Sequence, residues 1–133
     1  MAKVTIPIDY VNPSDVLTFC VYSMCQAKFD VVLRTDAGET IFTAKKNSDD
    51  PNFKDNTDKR QFQLTQLKKS WKDIYLDISN NLNTPLQPQT MVSGILKNDG
   101  NIAGYITNVC VEDQTDGDFQ DIFITIGAFR KKD

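Results

Sequence analysis

Histidine is absent from all 133 residues, and that absence removes more chemistry than any other feature of the composition. Zinc sites built on imidazole, His-dependent catalytic triads and histidine general bases are all excluded. Cysteine is scarce: Cys20, Cys25 and Cys110 are an odd number with no Cys-x-x-Cys pair among them. A Cys20–Cys25 or Cys20–Cys110 disulfide is open to this set, while small buried thiols on strands are the simpler expectation. Positive charge is not in excess either, with 15 Lys and Arg against 18 Asp and Glu and a net charge of −3. Phosphate-backbone binding draws its affinity from clustered Lys and Arg, so no nucleic-acid partner is expected. No apolar run approaches the ~18 residues of a membrane span, and the N-terminus lacks the charged-then-apolar order of a signal peptide, so no membrane partner is expected. The compartment stays open, extracellular if the chain is a module excised from a secreted enzyme.

What is present is alternation. Period two runs through almost the whole chain and period 3.6 is nearly missing, which predicts strands at about 3–10, 15–24, 28–35, 39–45, 61–67, 71–79, 91–98, 105–113 and 120–130. Turn chemistry separates them at Asn12-Pro13-Ser14-Asp15, Asp36-Ala37-Gly38, Asn98-Asp99-Gly100-Asn101 and Asp116-Gly117-Asp118. Nine short strands with regular turns imply an all-β sandwich or barrel in one domain, residues 1–133, with an antiparallel β-sandwich of about nine strands the expectation. Two polar stretches, 46–60 and 80–90, read as longer loops.

Alternation also sorts side chains by face. Leu17, Phe19 and Val21, then Phe29, Val31 and Leu33, then Ile74, Leu76 and Ile78, then Val109 and Val111 form the expected core. Tyr22, Asp30, Arg34, Asn108, Cys110 and Glu112 fall on the opposite faces.

The run Leu17-x-Phe19-x-Val21, Phe29-x-Val31-x-Leu33, the Gly38 turn, Trp71 ahead of Ile74, Leu76 and Ile78, and the closing Ile122-Phe123-Ile124 resemble the jelly-roll carbohydrate-binding modules of plant-polysaccharide-degrading enzymes, within the broad galactose-binding-like group. The resemblance is architectural and covers most of the chain. It implies a jelly roll and a non-catalytic sugar-binding role. Such modules often end in an Ile-Asp-Asp or Ile-Asp-Asn step whose acid helps hold a structural calcium; here the stretch is Ile124-Thr125-Ile126-Gly127.

Sugar recognition needs an aromatic face against the pyranose C–H surface and planar polar groups for its hydroxyls. Tyr22, Asp30, Arg34, Asn108 and Glu112 supply that mixture on predicted strands, with Tyr105 and Phe53 placed to rim a cleft. The same residues would equally cover an ordinary solvated sheet face, stems packed and heads wet. Trp71, the single tryptophan, reads as a core anchor rather than a sugar platform.

The acidic stretch Glu112-Asp113-Gln114-Thr115-Asp116-Gly117-Asp118, with Asp121 following, has the oxygen density that calcium prefers. Asp113, Asp116 and Asp118 are the candidate ligands, and the expected cofactor is none or one structural Ca2+; a solvated hairpin end is the competing reading. Carboxylates are numerous enough for a two-acid glycosidase, but no acid stands in an apolar neighbourhood that would raise its pKa, so no enzyme is expected. The expectation is therefore a non-catalytic module binding a β-glycan chain across one sheet face. The rival is a structural or assembly sandwich that holds a protein partner through its sheet edges or the 46–60 loop.

Overall fold

The computed structural model describes residues 2–23, 29–46, 59–66, 71–80, 85–112 and 122–130, with Tyr22, Ser23, Lys46 and 59–66 described by their backbone. Within them the chain forms nine strands and no helix: β1 (Ala2–Ile8), β2 (Val16–Ser23), β3 (Phe29–Thr35), β4 (Thr40–Lys46), β5 (Lys59–Gln66), β6 (Ile74–Asn80), β7 (Gln87–Leu96), β8 (Ile102–Glu112) and β9 (Ile122–Phe129). They assemble into a four-stranded sheet, β1-β6-β3-β4, and a five-stranded sheet, β5-β2-β9-β8-β7. Every pairing is antiparallel. Two separate sheets make this a β-sandwich, the expected one of the two all-β arrangements that the alternation leaves open.

Antiparallel ladders place directly opposed residues on the same face, so each rung can be followed across a sheet. In the four-stranded sheet Leu33 opposes both Leu76 and Phe42, and Leu76 opposes Ile6. In the five-stranded sheet Phe19 opposes Ile126, which opposes Thr107. The six apolar side chains on these rungs are buried, as is Thr107, and the two inner faces meet where Phe19 stacks on Phe42 at 4.8 Å. Every core residue expected from the alternation is buried, from Leu17 to Val111. A one-residue slip would turn this whole set to solvent, which is why the register is firmly specified.

Turns close where the sequence places them. The amide of Asp15 donates to the carbonyl of Asn12, and the buried Asp15 carboxylate accepts from the Asn12 amide at 2.9 Å. Gly38 and Gly100 donate to Thr35 and Lys97 with φ of 91° and 85°, left-handed backbone that suits glycine. Strand β7 begins at Gln87, not at 91. Gln87-Pro88-Gln89-Thr90 carries loop-like composition, yet it pairs with Glu112 through Val109, and an edge strand tolerates the missing proline donor.

Candidate functional site

The sequence-predicted sugar-binding residues divide between the two sheets. Asp30 and Arg34 lie on β3, in the four-stranded sheet, whereas Tyr22 lies on β2 and Asn108, Tyr105 and Glu112 on β8, in the five-stranded sheet. The outer faces of a sandwich point apart, separated by an inter-sheet distance of about 10 Å plus both layers of side chains. A single sheet face therefore cannot present the expected set together. Linear alternation reports which side of its own strand a residue takes but not which sheet the strand joins.

On the outer face of the four-stranded sheet, β3 and β6 bring Arg34 onto Asp77. The Arg34 Nε donates to Asp77 Oδ2 at 2.6 Å, Nη2 donates to Oδ1 at 3.4 Å, and Thr5 Oγ1 on β1 donates to Oδ1 at 2.6 Å. Lys3 Nζ stands 3.9 Å from the same carboxylate. Burial pushes the Asp77 carboxyl up, but the hydrogen bonds from Arg34 and Thr5 and the charges of Arg34 and Lys3 outweigh it and leave the group below its ordinary value. The Arg34 guanidinium, raised in turn by its hydrogen bond to Asp77, sits over the Tyr75 ring at 5.1 Å from the centroid. Both ends of Arg34 are thus engaged. Asp77 and Tyr75 were readable as outward positions flanking buried Leu76, but their meeting with Arg34 depends on a β3–β6 pairing that spans more than 40 residues of sequence.

On the five-stranded sheet, Asn108 Oδ1 accepts a hydrogen bond from Thr125 at 2.8 Å on the outer rung that also carries Cys20. Cys20 and Cys110 are free thiols, each half-buried. Tyr105 departs from its expected place. It opposes Ala128 on the inward-facing rung that includes Leu17, and its ring meets that of Tyr10 in a tilted contact, centroids 4.7 Å apart. Trp71 packs partly against the core and donates its indole N–H to Glu39 at 2.7 Å, so it is an anchor with a polar handle.

Glu112 corrects the sequence reading most sharply. Expected to point outward, it is fully buried, with Val111 before it buried as well. Strict alternation fails at the end of β8, where two consecutive side chains turn inward. A buried carboxylate is costly unless donors or positive charge stabilise it. The residue stands where β8 hands over to the connection that returns as β9 at Ile122, which opposes Val111. Asp113, Asp116 and Asp118 lie outside the described residues, as do Phe53, Cys25 and the side chain of Tyr22. Among the described residues no group of three or more His, Cys, Asp or Glu could hold a metal ion.

Neither a protein-family model nor a curated protein matches this sequence. Solved structures do share its fold. The C-terminal domain of the BC2L-C lectin from Burkholderia cenocepacia superposes with a TM-score of 0.66 at 12% identity, covering 92% of this chain and 97% of that one. A high-affinity mannose-binding lectin from Ralstonia solanacearum gives 0.63 at 16% identity over 89% of this chain and 91% of its own. The Chromobacterium violaceum lectin CV2L, solved in complex with alpha-methyl-fucoside, gives 0.59 at 13% identity with the same coverage, 89% and 91%. The shared property is the β-sandwich itself, spanning nearly the full length of each partner.

Proposed function

We propose that this chain is a non-catalytic carbohydrate-binding protein of lectin type. The observation that carries the reading is the fold match over about nine-tenths of the chain to three bacterial lectins, one mannose-binding and one holding a fucoside. The neighbours favour a lectin that grips a terminal or single sugar over an enzyme-appended module lying along a β-glycan chain. The division of Asp30 and Arg34 from Asn108 between opposite faces weighs the same way, since a chain on one face would meet only half of the expected set.

We place the sugar site at the end of β8, on the burial of Glu112 and the acidic sequence that follows it. Glu112 is a buried carboxylate, and Asp113, Asp116, Asp118 and Asp121 follow it within ten residues. The side chains are all carboxylates, the oxygen ligands that a hard cation takes. Glu112, Asp113, Asp116 and Asp118 would hold one calcium. When bound, calcium would offer its remaining coordination positions to sugar hydroxyl oxygens. Glu112 contributes a carboxylate already ordered by the packing of β8 against β9, so little side-chain entropy remains to be lost on binding.

The test is a glycan array run in calcium and again in chelator, beside melting curves under the same two conditions. Array binding that needs calcium, together with a melting temperature raised by calcium, supports the reading. An array that stays blank in both conditions contradicts it.

A further inference from the structure

We propose that the small cavity between the C-terminal end of β1 and the N-terminal end of β6 is a second, calcium-independent saccharide site, sized for one pyranose ring. It rests on the carbohydrate-binding reading for the class of its ligand, and on separate observations for its place.

The cavity has a volume of about 220 Å3 and is lined by Ile8, Asp9, Tyr10, Asp73, Ile74 and Tyr75, of which Ile8 and Ile74 are buried. Pockets for drug-sized ligands run from roughly 300 Å3 upward, so this one admits a single small ring and not an extended chain. Its chemistry selects among small rings. Most of the surface facing the cavity is polar, with carboxylates at Asp9 and Asp73 and phenols at Tyr10 and Tyr75; none of the lining residues is a Lys or Arg, and the nearby Arg34, over the Tyr75 ring, is held by Asp77, so a neutral ligand rich in hydroxyls suits it better than an anion. Neither the Asp9 nor the Asp73 side chain makes a hydrogen bond or ion pair to another residue of the described structure. A neutral pyranose complements such a lining chiefly through its rim of hydroxyl donors, which the Asp9 and Asp73 carboxylates accept, with its C–H face against the exposed Tyr10 ring.

The backbone marks the same spot from two sides. Tyr10 has φ of 63° and Asp73 has φ of 50°, both in the left-handed region. For a bulky tyrosine this is a genuine outlier, and such outliers gather at ligand-binding clamps. They stand on chain segments 63 residues apart and face the same cavity. Each is held there. The Asp73 carbonyl accepts the amide of Asp36 at 2.9 Å, and the Tyr10 ring is propped on Tyr105 at 4.7 Å while staying 55% exposed. The aromatic surface is therefore preorganised and open, which lowers the entropy lost on binding.

The experiment is a two-dimensional amide NMR titration of the full chain in chelator with methyl β-glucoside and, separately, methyl α-mannoside. We expect saturable shifts confined to residues 7–11, 73–75 and 105, with one of the sugars binding more tightly than the other. Tyr10→Ala should weaken that binding about tenfold, and Asp73→Asn, which keeps the side-chain shape, should weaken it while the rest of the spectrum shows the fold intact. No shift at these residues with either sugar up to about 50 mM, above the range of weak millimolar sites, would overturn the proposal. Shifts that survive both substitutions would overturn it as well. Binding that appears only with calcium and centres on Glu112 would defeat this site and leave the calcium-linked one standing; shifts at Tyr10 in chelator with a calcium-insensitive array would do the reverse.

Discussion

Arg34 and Asp77 meet across the β3–β6 ladder on the outer face of the four-stranded sheet, Nε to Oδ2 at 2.6 Å, with Thr5 bonding the second carboxylate oxygen at 2.6 Å. The carboxylate, on β6, accepts from donors on two other strands, Thr5 on β1 and Arg34 on β3, and so ties β1, β6 and β3 together above the core. Its folded pKa lies below its ordinary value. An unfolded chain therefore takes up this proton at a higher pH than the folded one does. The stabilisation is complete above the unfolded aspartate value of about 3.9 and is lost as pH falls through the folded value. Asp77→Asn should cost about 1 kcal/mol at neutral pH, and its melting temperature should fall less steeply than the wild type's as pH drops below about 4. Parallel acid limbs for the two proteins would show that the pair contributes nothing.

The stacked rings of Phe19 and Phe42 join the two sheets at their centre, and Phe19 is fully buried. Phe19→Ala should cost roughly 3–5 kcal/mol, because the cavity it leaves is walled by strands that cannot collapse inward. Urea denaturation gives the check: a midpoint shift near zero would mean that the register of β2 is wrong.

Gly127 serves a close approach. A Cβ at this position would come 2.5 Å from Thr18 Oγ1 and 2.8 Å from the Phe129 ring, side chains carried on the paired strands β2 and β9, so one of them must shift. Gly127→Ala should cost roughly 1–3 kcal/mol by overpacking. In the double variant Gly127→Ala with Thr18→Gly, thermal melts should recover part of that loss, since the hydroxyl that the new methyl meets is gone.

Burial raises the Cys110 thiol above its ordinary value, so little thiolate is present at neutral pH. Iodoacetamide should alkylate Cys110 in the folded protein more slowly than in the protein unfolded in urea, as read by mass mapping of the labelled peptide. Equal rates in the two states would contradict the burial of this side chain.

Much of this fold is legible in the chain itself. Leu17-x-Phe19-x-Val21 and its counterparts on β3, β6 and β8 declare their inner faces because one buried side enforces strict alternation, and the structure buries each of them. The candidate site is harder to read, for reasons of pairing rather than propensity. Asp30 and Arg34 look like companions of Asn108 until the sheet order sends β3 and β8 to opposite layers. Glu112 looks exposed because period two is extrapolated one residue beyond the point where β8 obeys it. Tyr10 and Asp73 give no sequence signal, since a left-handed φ on a tyrosine is imposed by tertiary packing and not by its own preference. Gln87 through Thr90 reads as a loop because an edge strand can carry proline and glutamine that an interior strand would reject.

Isothermal titration of methyl α-mannoside and methyl α-fucoside into the wild type and into Glu112→Gln, each in calcium and in chelator, tests the central claim most directly. At least one of the sugars should bind the wild type in calcium, chelator should abolish the heat attributable to that site, and Glu112→Gln should weaken it by about tenfold or more, since a buried carboxylate is exchanged for a neutral amide that serves a cation poorly. Equal heats for wild type and variant, unchanged by chelator, or no heat with either sugar, would contradict it.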